Sequence, residues 1–351
     1  SVMNVPLTDS SVSLQEWKWE IPKTFNIGYA CADRQIELGN GEEVAMIVED
    51  DVLGTSSISY KELALKTSQF AEVIKHLNLT KQSRVLVRLP NCLQYPIAFL
   101  GTMKAGHIAV PTSTLLTAQE ILYLAKDSQA SILVTDSITW NNLEPMAKEL
   151  SFLKTVLIHD SKDEFSNDFI KIKSLDTEIA KIKSISPNPP TEASDPAYLV
   201  YTSGTTGYPK GVLHCHRALL GRQPAADHWF SFDEKNDRIL HTGKFNWTYV
   251  LGSGLMDPLY LGKTVIVHEG KNNAHQWVEL IHKHRATIFI GVPTIYRQIL
   301  QKTAAKKDHV PSLRHCMSAG EHLSDEVFEQ WSSRFGLEIY EAVGMSEFSY
   351  Y

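Results

Sequence analysis

The sequence predicts an α/β fold: two layered subdomains with mainly parallel sheets flanked by helices. Three observations carry this expectation. Short β-branched runs recur along the 351 residues, capped amphipathic stretches separate them, and one polar, proline-broken segment interrupts the alternation near the middle. Strands alternating with helices of this length favour βαβ units, whose parallel sheets are covered on both faces.

Taken in order, the strand-like runs are Arg84-Val-Leu-Val-Arg-Leu89, Ser131-Ile-Leu-Val134, Thr155-Val-Leu-Ile158, Tyr198-Leu-Val-Tyr201, Thr264-Val-Ile-Val267 and Thr287-Ile-Phe-Ile290. Ser59-Tyr-Lys-Glu62 reads as a capping box, in which Ser and Glu satisfy each other's free backbone donors, and Leu63, Phe70, Ile74 and Leu77 follow at helical spacing. Thr117-Ala-Gln-Glu120 repeats the device before Ile121, Leu124 and Ala125. From about Lys162 to Pro196 the chain turns polar and lysine-rich, then breaks at Ser186-Pro-Asn-Pro-Pro190. Clustered prolines cannot continue a sheet or helix, so a subdomain boundary is expected there, giving 1–190 and 191–351. A long loop on a single domain is the alternative. A nucleotide is expected in a cleft between the subdomains, beyond the strand ends.

Composition excludes several function classes. Lys plus Arg number 34 against 40 Asp plus Glu, a net charge of −6, which removes the basic field of a general nucleic-acid binder. No apolar run approaches a membrane span; Lys104 and His107 interrupt the longest, from Ile97 to Val110. No secretory leader is visible, and Cys31, Cys92, Cys215 and Cys316 lie far apart with no C-x-x-C, as reduced cytoplasmic thiols would.

The most informative stretch is Tyr198-Leu-Val-Tyr-Thr-Ser-Gly-Thr-Thr-Gly-Tyr-Pro-Lys-Gly-Val212. A buried strand runs into a loop of small residues, whose backbone N–H groups can converge on phosphate oxygens. The hydroxyls of Thr202, Ser203, Thr205 and Thr206 add neutral donors, and Lys210 adds positive charge. This is not G-x-x-x-x-G-K-[ST] opening into a helix, because Lys210 lies three residues past Gly207 and an extended pattern resumes at Gly211. Composition alone leaves an ordinary turn open.

The string closely resembles the phosphate loop of the acyl-adenylate-forming superfamily, which includes acyl-CoA synthetases, aryl-CoA ligases, nonribosomal-peptide adenylation domains and firefly luciferase. Ser318-Ala-Gly-Glu-His-Leu323 resembles the family segment bordering the adenine, and Tyr340-Glu-Ala-Val-Gly-Met-Ser-Glu347 the motif ending in Thr/Ser-Glu. The resemblance implies that Thr202, Ser203, Gly204, Thr205, Thr206, Gly207 and Lys210 contact the ATP phosphates. It implies that Gly320, Glu321 and Ala342 flank the adenine, that Gly344, Met345 and Ser346 lie along the nucleotide, and that Glu347 helps hold Mg²⁺. Thr206, Lys210 and Glu347 are the catalytic candidates. The implied reaction uses ATP, Mg²⁺, CoA and a small carboxylic acid. Carboxylates are poor acyl donors, and bringing one onto an anionic phosphate demands neutralisation of both. The resemblance also implies part of a small distorted β-barrel, and a C-terminal domain carrying the catalytic lysine that is absent from these residues.

The stretch His241-Thr-Gly-Lys-Phe-Asn-Trp-Thr-Tyr-Val-Leu-Gly252 looks most like benzoate-CoA-ligase-like and medium-chain enzymes. Phe245, Trp247 and Tyr249 are its pocket candidates for an apolar or aromatic acid, with core packing as the alternative. Amino-acid-activating relatives place an Asp near Asn246; an amide cannot neutralise a buried ammonium, so a free amino acid is not expected as substrate. Gly291-Val-Pro-Thr-Ile-Tyr296 resembles a further pocket-lining stretch. His214-Cys215-His216 reads as no metal trio, since adjacent residues of a strand face opposite ways. His282-Lys-His-Arg285 reads as a helix C-terminus, and Cys316 as a small core residue. The expected protein is the N-terminal portion of an acyl-CoA synthetase, with a homo-oligomer not excluded. A stand-alone nucleotide- or acyl-binding module and a ligase loading a carrier protein are the competing readings.

Overall fold

The computed structural model describes residues 22–162, 165–166, 169–203, 207–231, 236–245 and 248–342. Its strands are β1 (Val44–Asp50), β2 (Gly54–Ser59), β3 (Arg84–Val87), β4 (Ile108–Pro111), β5 (Ile132–Thr135), β6 (Thr155–Ile158), β7 (Phe165–Ser166), β8 (Lys171–Ser174), β9 (Pro196–Thr202), β10 (Lys210–Cys215), β11 (Arg238–His241), β12 (Thr264–Glu269), β13 (Ile288–Gly291), β14 (His315–Ser318) and β15 (Ile339–Glu341). They form two sheets, in the orders β10-β9-β4-β3-β5-β6-β8-β7 and β15-β14-β13-β11-β12-β1-β2. Most neighbours are parallel. The antiparallel pairs are β1–β2, β9–β10 and β7–β8, each placing a strand on a sheet edge. The α/β class is therefore as expected. Among the described residues both sheets are open and there is no closed barrel.

The chain divides into two compact units, but not at the proline-rich stretch. Among the described residues, one contains 22–37 and 61–217 and the other contains 38–60 and 218–342. Strand pairing explains the difference from a boundary at 190. β9 joins the first sheet through Ala109↔Tyr198, carrying the loop after it into the same unit as residues 84–174. β1, in contrast, pairs in parallel with β12, more than 200 residues later, which draws residues 38–60 into the second unit. The prolines lie in an irregular connection within the first unit.

Local signals mark several helix ends. The helix Tyr60–Lys75 starts directly after Ser59. Thr117 caps the helix Ala118–Ser128, with Glu120 N–H donating to its hydroxyl at 3.2 Å and Thr117 N–H donating to the Glu120 carboxylate at 3.0 Å. The helix Ala274–His284 ends at Arg285 in the left-handed region, φ 53°. There His284 and Lys283 both meet the Glu49 carboxylate, at 2.7 and 2.6 Å.

In the first unit, Lys104 and His107 interrupt the apolar run without leaving the interior. Lys104 is buried and its ammonium donates to Ala64 O, Thr67 Oγ1 and Ser68 Oγ, while also pairing with Asp33. His107 Nδ1 accepts the Ser83 N–H at 3.1 Å. No helix among the described residues is long and apolar enough to cross a membrane.

In the second unit the sheet is covered on both faces, because successive strand residues point to opposite sides. Phe289 packs with Leu240, Trp277, Tyr296 and Trp331 on one face, while Ile288 and Ile290 pack with Ala225, Phe230 and Met317 on the other. Tyr296 and Trp331 meet edge to face at 4.7 Å. Cys316 belongs to the first of these clusters; burial pushes its thiol up to about 12, which suits core packing and not nucleophilic work.

Candidate functional site

The expected nucleotide residues fall in both units. In the first, β9 and β10 form an antiparallel hairpin in which Thr202 lies directly opposite Lys210. Residues directly opposite share a sheet face, so the Thr202 hydroxyl and the Lys210 ammonium emerge on the same side at the mouth of the loop. Thr202 is half-buried, whereas Ser203, Gly207 and Lys210 are exposed. Gly204, Thr205 and Thr206 lie outside the described residues.

The legs of this hairpin are held by side chains that the loop string does not advertise. The helix Ala118–Ser128 presents Tyr123 and Asp127, four residues apart and therefore on one face. Tyr201 donates its phenol to Asp127 Oδ2 at 2.7 Å. Burial, then that carboxylate, push the Tyr201 phenol well above its ordinary range, so it remains a donor. Tyr123 donates to Pro209 O at 3.1 Å, and its ring stacks on Tyr208 at 4.8 Å. One helix thus fixes residues on both sides of the loop. Below it, Tyr198 stacks on its cross-strand partner His214 at 4.5 Å.

His216, next to that pair, uses Nδ1 to accept the Ile27 N–H at 3.0 Å, which is a structural role and not a ligand's. Among the described residues no group of three or more His, Cys, Asp or Glu is placed to hold a metal ion.

Gly207 sits at φ 93°, where an L side chain is strained, and nothing lies within 4 Å of an added Cβ. Conformation alone therefore demands glycine. Gly207→Ala is expected to cost about 1 kcal/mol of stability in urea denaturation. An unchanged midpoint would mean that the loop accepts a side chain without strain.

In the second unit, the two adenine-motif segments are neighbours. β14 and β15 pair in parallel, with Ser318 opposite Glu341, and Ala342 N–H donates to Ser318 O at 2.8 Å. Gly320 and Glu321 are exposed in the loop after β14, and Ala342 is buried beside that strand's end. The loop is fastened by Glu341, whose carboxylate accepts Leu323 N–H at 3.0 Å and lies 3.6 Å from His322 Nδ1. Gly344, Met345, Ser346 and Glu347, including the expected Mg²⁺ position, lie outside the described residues.

A cavity of about 250 Å³ opens at the carboxyl ends of β11 and β13. Its walls include His241, Tyr249, Gly291, Val292, Ile295 and Ala319. Tyr249 is therefore both buried and cavity-lining, whereas Phe245 is buried but does not line it. Asn246 and Trp247 lie outside the described residues. The Gly291-to-Tyr296 stretch contributes Gly291, Val292 and Ile295 to the wall.

Two wall residues carry chemistry that sequence reasoning passed over. Lys244 pairs with Glu269 at 2.7 Å. His241, at the end of β11, is buried, accepts the Gly243 N–H on Nδ1 at 3.1 Å, and meets the Tyr249 ring edge to face at 5.5 Å. Burial pushes His241 down to about 3, so its ring is neutral. A histidine on a strand end is ordinary in sequence; only the packing around it marks this one.

Comparison with known proteins follows the same lines. A family model described as AMP-binding enzyme matches residues 35–351. The chain is 31% identical over 314 residues to a 3-hydroxybenzoate–CoA/4-hydroxybenzoate–CoA ligase of Thauera aromatica, covering 90% of this chain and 58% of that protein. It is 29% identical over 329 residues to a benzoate–CoA ligase of the same organism, covering 93% and 60%. Among solved structures, a benzoate CoA ligase from Burkholderia xenovorans aligns with a TM-score of 0.76 at 26% identity, over 92% of this chain and 62% of that one. An anthranilate CoA ligase in complex with anthranoyl-AMP aligns at 0.79 and 23% identity, over 92% and 60%, a likeness of fold alone. The chain spans about three fifths of the length of these relatives.

Proposed function

We propose, from the premise that this chain belongs to the family of AMP-binding enzymes, that it is the nucleotide- and acid-binding portion of an AMP-forming carboxylate–CoA ligase. Its substrate is a small apolar or aromatic acid. The observation that carries this reading is the β9–β10 hairpin, which sets Lys210 opposite Thr202 at the mouth of a Ser/Thr/Gly loop. The hydroxybenzoate and benzoate ligases among its relatives support an aromatic acid. So does the cavity, which falls below the roughly 300 Å³ at which drug-sized pockets begin and suits a single ring.

The chemistry proceeds in two displacements. A carboxylate oxygen attacks the α-phosphorus of ATP, giving acyl-AMP and pyrophosphate. The CoA thiol then attacks the acyl carbonyl, giving acyl-CoA and AMP. Loop N–H groups, the hydroxyls of Thr202, Ser203, Thr205 and Thr206, and the Lys210 ammonium offset phosphate charge during the first step. Gly320, Glu321, Ala342, Gly344, Met345 and Ser346 border the nucleotide. Glu347 would help hold Mg²⁺, which when bound would supply further charge neutralisation. Tyr249 lines the acid's cavity, with Trp247 as the further pocket candidate, while Phe245 packs in the core.

Calorimetric titration of the chain with ATP and Mg²⁺ tests the hairpin. Lys210→Ala combined with Thr206→Val is expected to weaken binding by about 10-fold or more, because charge-assisted hydrogen bonds to phosphate are lost. Unchanged heat and affinity in the double variant would remove the phosphate assignment. For the acid, binding of an α-amino acid in preference to benzoate would overturn the aromatic reading.

A further inference from the structure

We infer that Tyr123 is a positioning residue for Lys210: it holds the peptide that carries the lysine, so that the ammonium meets ATP from a fixed base. The inference rests on the reading of the β9–β10 hairpin as a phosphate site and deepens it.

Tyr123 is half-buried on the helix Ala118–Ser128 and donates its phenol to Pro209 O at 3.1 Å. A peptide unit is planar, so that oxygen, the Lys210 nitrogen and the Lys210 Cα move together. Fixing the Pro209 carbonyl therefore fixes the plane from which the Lys210 side chain springs. Proline narrows the remaining freedom, because its ring locks φ. The ring of Tyr123 also stacks on Tyr208 at 4.8 Å, holding the residue before Pro209 even though Tyr208 is 71% exposed. From the other strand, Lys210 is held by its pairing with Thr202.

The residue after Lys210 is confined as well. Gly211 lies opposite Tyr201, and a Cβ added there would stand 3.5 Å from Tyr201 Cζ and 2.9 Å from Leu199 Cδ1. Tyr201 in turn is tied to Asp127, four residues along the helix from Tyr123. The backbone on each side of Lys210 thus takes its place from one rigid element. A lysine side chain loses much rotamer freedom when it is held. With its backbone ordered in advance, only that side-chain cost remains when phosphate binds.

The test is a double-mutant cycle of Tyr123 and Lys210, read by calorimetric titration of the chain with ATP and Mg²⁺. Tyr123→Phe keeps the stack, loses the hydrogen bond and is expected to weaken binding about 5-fold. In a Lys210→Ala background the same change is expected to alter affinity by less than about 2-fold, since a positioning residue acts through the group it positions. Tyr208→Ser, at an exposed position where folding is not at risk, is expected to give a loss with the same dependence on Lys210. A purely structural role for Tyr123 gives another result: a lower urea midpoint, with affinity unchanged or reduced equally in both backgrounds. Either outcome overturns the inference and leaves the phosphate reading standing. If Lys210→Ala alone leaves ATP affinity unchanged, that reading falls and the inference with it.

Discussion

Asp257→Ala is expected to destabilise the second unit by about 3–5 kcal/mol, because it strands a guanidinium in a dry interior. Arg222 and Asp257 have side chains 1% and 0% exposed and meet at 2.8 Å between Nη2 and Oδ2. The Arg222 Nε–H also faces the carboxylate, at 3.2 Å from Oδ1, and Gln223 donates to Oδ1 at 3.1 Å. The backbone is cut to fit this pair. Gly252 begins a π-helical turn, Gly252–Met256, and a Cβ there would lie 2.2 Å from Arg222 Nη2. Nothing larger than glycine leaves room for the guanidinium. Losing the carboxylate removes the counter-ion that compensates the desolvation of Arg222. Asp257→Asn, which keeps the shape and the acceptor, is expected to cost less. Since a domain's whole stability is commonly about 5–15 kcal/mol, urea denaturation will resolve the difference. A loss below about 1 kcal/mol for Asp257→Ala would mean that Arg222 finds water or another acid.

Acidification is expected to unfold the chain early, through histidines buried in their neutral form. Burial holds His216 down to about 4 in the fold, outweighing the opposing pull of Asp195. An unfolded histidine takes up its proton near 6.5. Between those values the unfolded chain binds the proton and the folded chain does not. Stability is therefore complete above about pH 6.5 and falls as pH drops, by about 1.4 kcal/mol per unit, reaching a loss of about 3 kcal/mol near pH 4. Protonation would also destroy the acceptor that Nδ1 offers to Ile27. In the other unit His241, held down to about 3, acts in the same direction. Urea midpoints measured from pH 7.5 to 4.5 should fall steadily below 6.5, and His216→Gln should make the fall shallower. An identical slope in that variant would show that His216 is not among the groups responsible.

Little of the wiring around these groups is visible in one dimension. Arg222 and Asp257 are 35 residues apart on separate helical segments, and neither stands in a motif. Tyr201 and Tyr208 sit inside the string from Tyr198 to Val212, yet their partners Asp127 and Tyr123 lie more than 70 residues upstream. The only hint was the four-residue spacing of Tyr123 and Asp127 on a capped helix. His241 illustrates the same limit: its tautomer depends on a turn two residues on, and its enclosure depends on Gly254 and Tyr249 from a neighbouring helix.

The sequence by itself determined the α/β class, the strands at 84, 155 and 264, the Thr117 cap and the strand that runs to Thr202. Those features are local: β-branched runs, side-chain caps and small residues act within a few positions of themselves. Only the tertiary structure decided which sheet the loop belongs to. Proline clustering near 190 signals a break in secondary structure, but sheet membership is set by which strand edges pair. β9 finds β4, so the β9–β10 hairpin joins the unit of residues 61–217, while β1 reaches along the chain to β12. Long-range hydrogen bonding, absent from any local pattern, drew the boundary.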